Sequence, residues 1–190
     1  MQNVQIPPLE PPLQPTVAPQ PRDCGNYNMR ITADGLWHHN GTLIRRPALV
    51  RLFAGLLKRD AAGDYWLETP AERGRIQVDD APFVAVDMTI AGTGAAQRLT
   101  FRTNLDHQVM ADAAHPIELR LGAGGGAARP YLSLGDRIEA LIARPVYYRL
   151  AELAVERRIA GHVTLGIWSG GAFFVLEPAA DDRAAAGPMP

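Results

Sequence analysis

The chain has 190 residues, enough for one domain or for two small units sharing a core. Its 47% hydrophobic and 21% charged fractions exclude wholesale disorder, and a formal net charge of -1 offers no general attraction for nucleic acid. No apolar run reaches the roughly 18 residues of a membrane span. Met1–Pro8 lacks the basic and apolar regions of a secretion signal, so the expectation is a soluble cytoplasmic protein. Cys24, the only cysteine, excludes an intrachain disulfide and a cysteine zinc cluster.

Lys58 is the only lysine, and the other basic residues are arginines. With abundant Ala, that skew reads as GC-rich bacterial coding, although the guanidinium fork also suits phosphate. Residues 1–22 carry Pro at 7, 8, 11, 12, 15, 19 and 21. Each Pro fixes φ and removes a donor, so a disordered, polyproline-type leader is expected, serving as a spacer or as a ligand for a proline-reading domain.

From residue 23 the signals become regular. Met29–Thr32 alternates, Asp34-Gly35 and Asn40-Gly41 are hairpin turn pairs, and Leu36-Trp37 and Thr42–Ile44 read as return strands. A helix is expected from Pro47, with Leu49, Leu52, Phe53, Leu56 and Leu57 on its buried face and Asp60–Asp64 ending it. Tyr65–Glu68, Arg75–Val78, Phe83–Ile90, Gln97–Asn104, Ile117–Leu121 and Tyr131–Leu134 read as strands, with a loop at Gly92–Gly94. A second helix is expected from Pro145 to about Ile159.

Leu141–Pro145 followed by Arg149-Leu150 repeats Leu43–Pro47 followed by Arg51-Leu52, and Gly171–Val175 repeats Gly63–Leu67. The shared order indicates an internal duplication. The expected fold class is therefore α+β: two related units of mostly antiparallel strands, each with one main helix, at 23–80 and 81–178, before a disordered tail at 179–190.

Several motifs resemble chemistry. Gly122–Ala127 spells G-x-G-x-x-A, but Pro130 and a strand follow where a dinucleotide site needs a helix, so a hairpin loop is expected. Ile167–Gly171 half matches a nucleophile elbow and reads better as a tight turn whose N–H groups and hydroxyl could hold an anion. The five histidines show no metal-ligand spacing. Asp79-Asp80 is a pair of turn acids with a possible acid–base use. Arg46 and Arg144 precede the two helices at equivalent positions. They, Arg45 and Arg102 either pair with carboxylates or meet an anionic ligand. Trp37 and Trp168 either pack in the core or wall a planar ligand.

Taken together, Cys24-Gly25, Gly41–Arg45, Leu49–Phe53, Asp64–Pro70, Ile76–Phe83, Phe101–Asn104, Glu139–Tyr148 and Trp168–Gly171 give the chain a resemblance to a bacterial family known as domain of unknown function 1285. The resemblance runs over about residues 23–178 and leaves the leader outside. It implies a duplicated core, a second unit built as a bent sheet loosely similar to pleckstrin-homology folds, a ligand site between the units and a signalling role. It carries no established activity.

The functional expectation is a non-catalytic binding module with a small anionic or nucleotide-like ligand between its units, and no cofactor or metal. Arg46, Arg102 and Arg144 would meet charge, Trp37 or Trp168 would stack, and Asn104 and Ser169 would orient the ligand. The alternatives are a hydrolase-like enzyme using Ser169 or Asp79 and Asp80, and a protein-interaction adaptor working through the leader. Oligomeric state is not legible in the sequence.

Overall fold

The computed structural model describes residues 21–122, 126–159 and 161–176. The leader through residue 20, the tail from residue 177 and the middle of the glycine-rich loop (123–125) lie outside the described residues. In the first unit β1 (Arg22–Ile31), β2 (Trp37–His39) and β3 (Thr42–Leu43) form an antiparallel meander. Both expected turns are present. Gly35, at φ +78°, turns the five-residue connection between Ile31 and Trp37, and Asn40 and Gly41 close the second turn at +49° and +77°, the positive values a two-residue hairpin loop needs. After α1 (Pro47–Ala54) come β4 (Leu57–Arg59), β5 (Tyr65–Glu68) and β6 (Glu72–Val78). β6 returns parallel to β1, and the sheet order is β3-β2-β1-β6-β5-β4.

The second unit has β7 (Phe83–Ala91), β8 (Arg98–Thr103), β9 (Gln108–Met110), β10 (Ile117–Gly122), β11 (Gly126–Gly135) and β12 (Ile138–Ile142), in the order β10-β11-β12-β7-β8-β9. β12 lies parallel to β7. Counted from its own first strand, this sheet has the order of the first one. In both, the first and last strands sit side by side and parallel at the centre, and antiparallel strands extend to each edge. The duplication is therefore carried by the sheets. The helix α2 (Arg144–Ala151) and a three-stranded antiparallel sheet of β13 (Val155–Ile159), β14 (His162–Ser169) and β15 (Ala172–Val175) follow. The fold is α+β with two related units.

Three expectations need correction. The matched stretches around Pro47 and Pro145 are not equivalent in space: β3, before α1, is an edge strand, whereas β12, before α2, is central. The helix at Pro47 stops at Ala54, because Gly55 is a poor helix former and Leu57 is taken into β4 opposite Leu67. Its buried residues are Val50 and Ala54, while Leu52 is 60% exposed. The second helix is as short as the first. Val155–Ile159 leaves it to form β13, since β-branched ends at both limits favour a strand once β14 supplies a partner.

One hydrophobic cluster runs through both units, from Met29, Ile31 and Trp37 to Phe101, Leu132, Ile142, Leu150 and Ile167. The units are thus bound by a shared core as well as by the Asp79–Pro82 connection. Among the described residues no helix is long and apolar enough to cross a membrane.

Candidate ligand site at the junction of the units

The seven residues expected to bind ligand are dispersed. Trp37 is buried in the first unit with its ring stacked on Phe53 at 6.3 Å. Ser169 is fully buried: its hydroxyl donates to the Ala111 carbonyl at 2.6 Å and accepts the Leu99 N–H at 2.9 Å. The tight turn after it is stitched down as well, since the Gly170 N–H donates to the Gln97 carbonyl at 3.0 Å. Asn104 bridges the units, accepting the Val84 N–H at 3.1 Å and donating to the Gly35 carbonyl at 3.2 Å. Trp168 packs edge-on against Phe173 beneath the Arg157 guanidinium.

The arginines divide. Arg102 sits in a ladder of charges with Asp87 at 3.8 Å and Asp106 at 3.4 Å. Arg51 of α1 reaches Asp106 and Arg149 of α2 reaches Asp87, each at 2.8 Å, so the ladder ties one helix to the other. Arg46 occupies the residue before α1, exposed and with no side-chain hydrogen bond to the helix. Arg144 opens α2 on the wall of a cavity of about 350 Å³ that Arg129, Leu141 and Tyr147 also line. The other six line neither that cavity nor the three others of about 280 to 490 Å³.

The two acids of the connection face different units. Arg30 grips Asp79 through Nε at 2.9 Å and Nη2 at 2.7 Å, and this holds the Asp79 carboxyl below the usual carboxylate range. Asp80 accepts the Tyr131 hydroxyl at 2.8 Å and stands 2.8 Å from Arg129, both in the second unit. They do not form a carboxylate dyad.

Asp80 is instead part of the largest of these cavities, about 490 Å³, at the junction. Arg59 from β4, Tyr65 from β5, Arg75 and Gln77 from β6 and Asp64 line it with Asp80. The strand register sets Arg59 opposite Tyr65 on one face of the sheet, whereas Arg75, opposite Trp66, leaves from the other face. From the second unit Glu139 reaches Arg59 at 3.6 Å and also binds Arg120, whose guanidinium lies 3.9 Å from the Tyr131 ring centre. Arg75 pairs with Asp64. The hydrogen bonds of Arg59, to Gly63 and Arg137 carbonyls, use Nε and Nη1.

Tyr65 is the unusual member. It is only 7% exposed, yet its hydroxyl has no hydrogen-bond partner among the described residues. Burial pushes its ionisation up to about 12, so at neutral pH it is a proton donor without an acceptor. Tyr131 is pushed up to about 12 too, by burial and by the hydrogen bond to Asp80. The cavity is thus lined by two arginines, one of them paired with Asp64, and by a tyrosine whose buried hydroxyl is unspent. Sequence reading missed Arg59, Tyr65 and Arg75 as a group. The signal available was the Tyr65–Leu67 alternation, which turns Tyr65 inward; β4, which brings Arg59 across from it, has only three residues.

Profiles of two protein-family domains match the chain. The domain of unknown function DUF1285, N-terminal domain, matches residues 14–81, and the protein of unknown function DUF1285, C-terminal domain, matches residues 82–176. The first match begins inside the proline-rich leader. No curated protein matches the chain. A DUF1285 family protein from Silicibacter pomeroyi DSS-3, solved at 2.50 Å, is 41% identical, with 85% of this chain and 86% of that chain covered at a TM-score of 0.76. Another, from Shewanella baltica OS155 and solved at 1.40 Å, is 26% identical, with 66% and 91% covered at a TM-score of 0.52. With both domain profiles matched end to end and the same fold in a 41% identical bacterial relative, the chain belongs to the DUF1285 family.

Proposed function

We propose that the protein is a non-catalytic binding module for a small anionic ligand of nucleotide-like size, held in the junction cavity. The observation that carries this reading is Tyr65, which lines that cavity and whose buried hydroxyl has no hydrogen-bond partner among the described residues. A buried donor left without an acceptor costs about 1–3 kcal/mol, and an arriving acceptor recovers that cost. Arg59 and Arg75 also line it, and a guanidinium has donors enough for a protein carboxylate and a phosphate or carboxylate of the ligand together. The volume lies within the usual range for small-molecule sites. Walls contributed by the first unit and backed by Arg129, Tyr131 and Glu139 of the second make the ligand a sensor of how the units meet, which suits a signalling role.

The test is the thermal midpoint and calorimetric titration of the full chain with inorganic phosphate, nucleoside mono- and diphosphates and aromatic carboxylates. A ligand present at about 100 times its dissociation constant adds roughly 2.7 kcal/mol to the folded state, a readily measured shift. Binding is expected in this set, and Tyr65→Phe and Arg75→Gln should each weaken it by about tenfold or more. A flat set, or binding that both variants leave intact, overturns the assignment.

A further inference from the structure

We propose that the protein forms a two-fold dimer in which β13 of one copy pairs antiparallel with β13 of a second copy. Among the described residues β13 is the edge of its sheet and is hydrogen-bonded to β14 alone, and all five of its residues are exposed. Its pairing with β14 runs from Val155 to Ile159 without a bulge, and it contains neither Pro nor Lys. Bulges, Pro and Lys are among the devices by which monomeric proteins spoil an edge, and the charges that β13 does carry are of both signs. It also exposes β-branched residues, Val155 at 44% and Ile159 at 38%.

The occupant is identified by the order of the side chains, Val-Glu-Arg-Arg-Ile. Antiparallel self-pairing centred on Arg157 sets Glu156 opposite Arg158 of the other copy twice, and Val155 opposite Ile159 twice. Side chains alternate along a strand, so the ion pairs fall on one face and the apolar pairs on the other. Arg157 meets its own copy at the axis. Its guanidinium, however, is drawn back over its own sheet, 4.8 Å from the Trp168 ring centre and 5.1 Å from that of Phe173.

The register is specified as well. A two-fold axis perpendicular to the sheet keeps each side chain on its face, so the nearest alternative registers differ by two residues in the pairing sum. One of them sets Glu156 against Glu156 and the other sets Arg158 against Arg158. Only the register centred on Arg157 pairs all five residues and opposes unlike charges.

The experiment is sedimentation analysis of the full chain and of two charge reversals, Glu156→Arg and Arg158→Glu. The wild-type chain is expected to be dimeric, and each reversal monomeric, with dissociation constants weaker by about tenfold or more. An equimolar mixture of the two variants is expected to form a heterodimer, because the reversed charges complement one another across the axis. Thermal midpoints near the wild-type value would show that the exposed substitutions leave the fold intact. A wild-type chain that stays monomeric at every concentration, reversals that stay dimeric, or a mixture that stays monomeric overturns the proposal.

Discussion

Asn104 of the second unit donates through Nδ2 to the carbonyl of Gly35 in the first, at 3.2 Å, while its Oδ1 accepts the Val84 N–H. The contact is so close that a Cβ on Gly35 would lie 2.5 Å from Nδ2, and Gly35 already needs its φ of +78° to turn β1 into β2. Gly35→Ala should therefore destabilise the protein by about 2–3 kcal/mol, combining a left-handed backbone penalty with a displaced hydrogen bond. Asn104→Ala should cost about 1–3 kcal/mol by leaving the Val84 N–H without its side-chain acceptor. Denaturant unfolding of the two single variants and the double variant checks this. The double variant should lose less than the sum of the singles, because Asn104→Ala makes room for the new methyl group. Simple additivity would show that the two residues are not coupled.

Ser169 invites a catalytic reading because it precedes Gly170-Gly171, both in the left-handed region, at φ +56° and +78°. Its hydroxyl is nonetheless committed to two backbone groups, Ala111 O and Leu99 N, at the end of β14 where the small sheet meets β8. Ser169→Ala removes both bonds in a buried place and should lower stability by about 1–3 kcal/mol. Ser169→Thr adds a methyl group to a fully buried site and should cost about 1–3 kcal/mol through overpacking. Unfolding curves read these losses, and ligand binding at the junction cavity should be unchanged once the variants are folded. A variant that kept full stability would return the hydroxyl to the list of available functional groups.

The parts of the fold legible in sequence are those set by neighbouring residues. Asp34-Gly35 and Asn40-Gly41 mark their turns because positive φ is a local demand. Tyr65–Glu68 marks its strand because its alternation is complete, buried at Tyr65 and Leu67. Val155–Ile159 was hidden behind α2 since Val146, Leu150 and Leu153 continue at helical spacing, and only β14 decides otherwise. The proposed site shares with the sequence reading only its place at the junction of two units, and its residues are different ones. Ser169, Asn104 and Trp37 stood out as polar or aromatic groups in structured positions, but a sequence does not reveal whether a hydroxyl meets a backbone carbonyl or a ligand. Arg59, Tyr65 and Glu139 come from three strands in two units, and only the packed sheets bring them within reach of one another.

Tyr65 and Tyr131 have similarly raised ionisations, both about 12, yet opposite consequences for stability. The Tyr131 hydroxyl donates to Asp80 at 2.8 Å, so Tyr131→Phe takes away a bond to a charged acceptor and should cost about 1–3 kcal/mol. The Tyr65 hydroxyl has no bond to lose among the described residues, so Tyr65→Phe should leave stability unchanged or raise it. The pH dependence has a fixed sign. A phenol whose folded ionisation is raised contributes stability that is complete below its unfolded value of about 10 and is lost as pH rises through about 12. The wild-type midpoint should accordingly fall between pH 10 and pH 12, and each Phe variant should flatten part of that fall. Phenolate absorbance should show a late-titrating fraction that shrinks in both variants. If Tyr65→Phe instead destabilised the protein as much as Tyr131→Phe at neutral pH, its hydroxyl would already have an acceptor, and the junction cavity would lose the donor that marks it as a binding site.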